Sequence, residues 1–194
     1  PDTDSPMESE SDYLEGQMLI AMPGMEDPRF QRTLIYMCAH SDQGAMGLVV
    51  NKAMNNITFP DLLEQLGIQG TGFERDIQVF FGGPVEQSRG FVLHSSDYAQ
   101  DASLVVNEEY SLTASVDVLK AIADGKGPDK CLMALGYSGW APGQLESELQ
   151  SNGWLHVPAD EELVFGLDYE GKWPAAVAKL GINLTLLSGE AGHA

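Results

Sequence analysis

Gly136-Tyr137-Ser138-Gly139-Trp140 comes within one residue of a hydrolase nucleophile elbow. That motif, Gly-x-Ser-x-Gly, depends on small residues flanking the serine, because the strained strand-to-helix turn must close against its neighbours. An apolar run at 132–135 precedes the segment and a helix-like stretch at 142–150 follows it, in the order an elbow requires. The final glycine position holds the bulky Trp140, and the histidines that would serve as base, His94 and His156, stand at no diagnostic spacing from Ser138. The favoured reading is a tight turn feeding a helix, with Trp140 packed. Hydrolysis through Ser138 is a third-ranked alternative.

Metal chemistry has weaker support. His40 with Asp42, His94 with Asp97 and His156 with Asp160 are each fragments of a ligand set. A metal site needs three or four ligands converging, and no pattern of cysteines completes one. No metal and no cofactor is expected. Cys38 and Cys131 sit in apolar contexts and read as buried thiols, which suits a reducing compartment. The glycines at 67–72 follow a helix end, whereas a phosphate loop follows a strand and opens a helix, so that segment reads as a flexible connector. Gly82-Gly83-Pro84 has backbone donors to offer an anion, but Pro84 removes one of them.

Charge limits the partners. Ten Lys and Arg face 29 Asp and Glu, a formal net charge of −19. Binding a polyanion draws on clustered bases that release counterions. Here the bases are scattered, and the nearest approach to a cluster, Lys120, Lys126 and Lys130, is diluted by Asp124 and Asp129. Direct nucleic-acid binding is disfavoured. The longest apolar run near the start, 18–22, is too short to span a bilayer or to serve as a signal core, so a cytoplasmic location with no membrane contact is expected.

The elements that must carry these residues follow from patterning. Residues 1–15 hold six acids and no base, and read as a disordered tail. Runs at 34–39 and 45–51, joined by Ser41-Asp42-Gln43-Gly44, predict a hairpin. Thr58-Phe59-Pro60-Asp61 predicts a helix start, with Leu62, Leu63 and Leu66 on one face and Gly67 as stop. Strands are expected at 77–81, 90–94, 103–107, 110–113, 132–135 and 154–157. Helices are expected at 116–124, 142–150 and 174–180, while 163–167 is ambiguous. Hairpins mixed with isolated helices, without regular strand–helix alternation, give an α+β class: a mixed, largely antiparallel sheet flanked by helices. A single domain over 16–187 is expected, with a loose C-terminal tail over 188–194.

Four blocks together resemble the YqgE/AlgH family. They are Leu19-Ile20-Ala21-Met22-Pro23-Gly24-Met25 with Asp27, Phe30 and Arg32; Gly44-Ala45-Met46-Gly47-Leu48-Val49-Val50-Asn51; Gly82-Gly83-Pro84-Val85 with Arg89-Gly90-Phe91-Val92-Leu93-His94; and Gly136 through Glu146 followed by Asn152, Trp154 and Leu155. Ala53 and Ala141 depart from the usual proline and glycine of that pattern. The resemblance implies a cytoplasmic bacterial protein of three-layer α+β architecture. It implies no established enzyme activity and no agreed catalytic residues. Members are often labelled transcriptional regulators, after one linked to alginate production.

The leading expectation is a non-enzymatic binding or regulatory protein acting through a protein or small-ligand partner, with DNA-binding regulation as runner-up. Loops at strand ends can converge on one rim into a concave site. Arg29, Arg32, Asn51, His94, Tyr137, Ser138 and Trp140 are accordingly expected around one cleft, for an anionic or carbonyl-bearing ligand.

Overall fold

The computed structural model describes residues 13–25, 27–68, 77–98, 103–166 and 168–181. Among these residues nine strands form one sheet: β1 (Gln17–Ala21), β2 (Leu34–Ser41), β3 (Gly44–Val49), β4 (Val79–Phe81), β5 (Val85–Ser95), β6 (Leu104–Val105), β7 (Tyr110–Thr113), β8 (Cys131–Trp140) and β9 (Trp154–Pro158). Their spatial order is β6-β7-β5-β8-β3-β2-β1-β9, with β4 paired to β8 off that path. All pairings are antiparallel except β4 with β8, so the sheet is mixed and largely antiparallel. Five helices accompany it among the described residues: α1 (Phe59–Gln65), α2 (Val116–Ala123), α3 (Gln144–Gln150), α4 (Glu161–Phe165) and α5 (Lys172–Lys179).

Pleat alternation shows how the sheet curls. Met18 and Ile20 of β1, Tyr36 and Cys38 of β2, Leu93 of β5 and Ala134 of β8 belong to one inner core, closed by Val164 of α4 and Trp173 of α5. The alternate residues face outward into two further cores. Val92 and Met133 pack against Leu62 and Leu63 of α1 and Leu119 and Ile122 of α2. Leu19, Ile35 and Met37 pack with Leu145 of α3, Trp140 and Trp154. Strands buried on both faces read as continuous apolar runs rather than as alternations, which is why 34–39 and 132–135 stand out in the sequence.

Local chemistry sets the boundaries. Thr58 caps α1 in a full capping box with Asp61, as its sequence predicts. The 163–167 ambiguity resolves into α4, whose start is fixed by the Asp160 side chain accepting from the Leu163 N–H. Residues 18–22, to which the sequence reading assigned no element, form most of β1 between β2 and β9.

The largest departure concerns 136–140. The expected turn is the second half of β8, which runs ten residues to Trp140. Gly136 adopts φ +77° and shifts the alternation by one place. Tyr137 thereby packs against the inner core, while Trp140 joins an outer one. Part of the expected tail is also built in. Leu14 is buried, and its N–H donates to His40 Nδ1 at 3.1 Å, with the Tyr13 ring edge-on to the imidazole. Residues 1–12 of that tail, the 188–194 tail and positions 69–72 of the expected connector lie outside the described residues.

Candidate functional site

The structure does not bring the seven candidate residues to one cleft. β8 fixes the geometry. His94 pairs with Cys131 at the start of β8, whereas Trp140 pairs with Ala45 at its end. Nine residues of strand separate the two pairings, on the order of 25–30 Å at strand rise. His94 is fully buried. Its Nδ1 donates to Ser95 O at 2.9 Å, so its Nε2 accepts from the Thr113 hydroxyl at 2.7 Å. Burial lowers its pKa from the ordinary histidine value. This neutral imidazole is a structural fixture.

Arg29 is exposed and paired with Asp27 at 2.7 Å, which holds that carboxyl below its usual range. Arg32 stacks its guanidinium on Trp173, 4.3 Å from the ring centroid. Asn51 joins Arg32 through the backbone: its Nδ2 donates to Arg32 O at 2.9 Å and its Oδ1 accepts from the Leu34 N–H at 3.0 Å. Ser138 is completely buried, and its hydroxyl donates to Gly82 O at 3.2 Å. A serine so placed is neither at the tip of a turn nor on a base.

Tyr137 and Trp140 do share a concavity. A groove of about 660 Å³ opens where the end of β2, the start of β3 and the start of β5 meet the second half of β8. Its aromatic walls are Phe91, Tyr137 and Trp140, and its polar groups include His40, Glu86 and Arg89. Phe91 and Tyr137 meet edge to face at 5.6 Å, and the Arg89 guanidinium lies over Phe91 at 5.3 Å. Glu86 and Arg89 reach this rim because β5 slips register between Val85 and Gly90, putting the residues between them outside the ladder. Cys38 also lines the groove, but burial pushes its thiol up to about 12, so it is no ready nucleophile.

The groove stands on a fixed base. The His40 Nδ1 accepts from Leu14, so its Nε2 donates to Glu146 at 3.1 Å. Glu148 Oε1 accepts both indole N–H groups, from Trp140 at 3.0 Å and Trp154 at 2.8 Å. The close crossing of Gly82-Gly83 over β8 accounts for the third glycine block. A Cβ on Gly83 would lie 2.1 Å from the Tyr137 carbonyl, and one on Gly136 would lie 2.4 Å from Gly83 O.

A second cavity, of about 500 Å³, opens at the other end of β8, lined by Phe80, Cys131, Leu132, Phe165, Tyr169 and Lys172 among others. Lys172 was not a candidate from sequence. Its neighbours Val50 and Val164 are remote or unremarkable in the chain, and no local pattern marks it. Among the described residues, no group of three or more His, Cys, Asp and Glu is placed to hold a metal ion.

A model of the AlgH-like family matches residues 18–185, most of the chain. The chain belongs to the AlgH-like family. Its AlgH-like relatives include a UPF0301 protein of Afipia carboxidovorans, 56% identical over 190 residues, covering 94% of this chain and 90% of that protein. A UPF0301 protein of Rhodospirillum rubrum is 56% identical over 182 residues, covering 94% of this chain and 95% of that protein. The solution structure of the AlgH protein from Pseudomonas aeruginosa superposes with a TM-score of 0.77 at 47% identity, covering 94% of this chain and 96% of that one. The curled sheet with outer helices is thus the AlgH-like architecture, and the α+β class read from sequence holds. No helix among the described residues is long and apolar enough to cross a membrane.

Proposed function

We propose that this AlgH-like chain is a non-enzymatic, cytoplasmic binding protein that seats a small, partly apolar ligand in the groove at the end of β8 and acts as a regulator through that occupancy. The observation that carries the reading is the groove itself. Its volume of about 660 Å³ falls within the usual range for small-molecule sites, and it combines aromatic walls with a few polar groups. Tyr137 and Trp140 supply wall and the exposed Arg89 supplies recognition, while His40, held by Leu14 and Glu146, fixes the floor.

Two alternatives fit less well. Gripping DNA calls for clustered, available bases, yet Arg29, Lys130 and Lys179 each pair with a carboxylate, Arg32 lies on Trp173 and Lys172 is buried. Hydrolysis through Ser138 calls for an exposed hydroxyl beside a base, and that hydroxyl is buried on a carbonyl.

The test is a thermal-shift screen against a panel of nucleosides, sugar phosphates and aromatic and aliphatic carboxylates. At least one class is expected to raise the melting temperature, with affinity reduced at least about fivefold, roughly 1 kcal/mol, in Tyr137→Ala and Arg89→Ala. No stabilising class, or stabilisation untouched by both variants, overturns the reading.

A further inference from the structure

Lys172 is the outlier among the ionisable groups. It is 3% exposed at the start of α5, facing the end of the inner core opposite the groove. Its Nζ donates to Val50 O at 3.0 Å and to Val164 O at 2.7 Å, and it lies 5.4 Å from the centroid of Phe80. Among the described residues no carboxylate lies within ion-pairing distance of it; Glu162 of α4 acts on it only at longer range. Structural lysines in protein interiors are ordinarily paired with an acid, because an isolated buried charge is costly.

Two carbonyls suit the neutral amine as well as the ammonium. An amine has two N–H bonds, one for each carbonyl, and its lone pair then takes the fourth tetrahedral direction. Lys172 and Phe80 both line the 500 Å³ cavity, together with Phe165, Tyr169 and Leu132. We propose that Lys172 is a carbonyl-capturing site, which takes a small apolar aldehyde or ketone from this cavity as a protonated imine. In this step the Nζ lone pair attacks the carbonyl carbon and the C=O π pair moves to oxygen, which is protonated. The carbinolamine oxygen takes a second proton from solvent, replacing the one the resting ammonium released, and leaves as water as the nitrogen lone pair forms C=N⁺. The C=N⁺ product keeps one N–H for a backbone carbonyl. Counted from the resting ammonium, the net change is loss of one water, and no oxidant or reductant is needed.

Burial supports the availability of the lone pair, since it lowers the Lys172 pKa to about 8. At pH 7.5 about a quarter of such amines are neutral, against about one in a thousand for an ordinary lysine. Lysines desolvated in this way are the ones that form Schiff bases in other proteins. The site is distinct from the groove at the far end of β8, and the two share no lining residue.

The probe is butanal with sodium cyanoborohydride, applied to the intact chain at pH 7.5. Alkylation of each of the six lysines is read by peptide mass spectrometry. Lys172 is expected to label at least tenfold faster than the median of the other five, and to lose that preference in 8 M urea. Labelling of Lys172 no faster than the exposed lysines in the folded chain overturns the proposal, as does a preference that persists in urea.

Discussion

The Ser138 hydroxyl donates to the Gly82 carbonyl at 3.2 Å, across the point where β8 passes the end of β4. The same carbonyl accepts from the Val49 N–H at 2.9 Å. Gly82 O therefore keeps a partner when the hydroxyl is removed. Ser138→Ala is expected to cost only about 0.5–1.5 kcal/mol in urea denaturation. A fluorophosphonate probe is expected to leave the wild-type chain unlabelled. Stoichiometric labelling of Ser138 would restore the hydrolase reading.

Gly83 behaves differently. It adopts φ +154°, and an added Cβ would meet the Tyr137 carbonyl carbon and oxygen at 2.1 Å. Backbone cannot yield as a flexible side chain can, so overpacking and strain add. Gly83→Ala is expected to cost about 3 kcal/mol or more, measurable as a fall in the urea midpoint. A cost under ~1 kcal/mol would show that the crossing of the two backbones is not a tight one.

Glu148 holds two indoles with one oxygen. Glu148→Ala strands the N–H groups of Trp140 and Trp154, both buried, at roughly 1–3 kcal/mol each. Glu148→Gln keeps a carbonyl acceptor and is expected to cost less than half as much. Tryptophan emission read alongside denaturation checks both values. Equal costs for the two variants would mean that Glu148 acts through its charge instead.

The pH dependence of stability has two parts with the same sign. For Lys172, the unfolded amine binds its proton up to about pH 10.4, whereas the folded one releases it near 8. The unfolded state thus binds more protons across that window, and stability rises with pH there. Wild type is expected to gain about 3 kcal/mol relative to Lys172→Met between pH 8 and 10.5. For His94, burial holds the folded value below the ordinary one, so its contribution is lost as pH falls below about 6.5. His94→Gln is expected to flatten the acid limb relative to wild type. Chemical denaturation across pH 5–10.5 tests both, and parallel curves for wild type and either variant would contradict the assignment for that residue.

Much of this fold was legible because local rules and global packing agree. Thr58 with Asp61 announces α1, Ser41 to Gly44 announces the β2–β3 turn, and the apolar runs of β2 and β8 mark strands covered on both faces. The glycines of 136–143 misled for a physical reason. A glycine is needed equally for a loop and for a bulge in a strand that another backbone crosses, and sequence does not show the crossing strand. The site was less legible. His94 looked available but is closed by Thr113 and Ser95, while Asn51 is occupied by Arg32 and Leu34. Lys172 gave no signal, because Val50 lies 122 residues away in the chain.

The ligand seat we propose is the groove walled by Phe91, Tyr137 and Trp140. Its most direct test is a ¹H–¹⁵N correlation titration with the anionic aromatic probe 8-anilinonaphthalene-1-sulfonate, which matches aromatic walls beside Arg89. Saturable shifts are expected, concentrated at His40, Arg89, Phe91, Tyr137 and Gly139. Shifts concentrated instead at Leu132, Phe165 and Tyr169 around the opposite cavity, or no saturable shift at all, would contradict it.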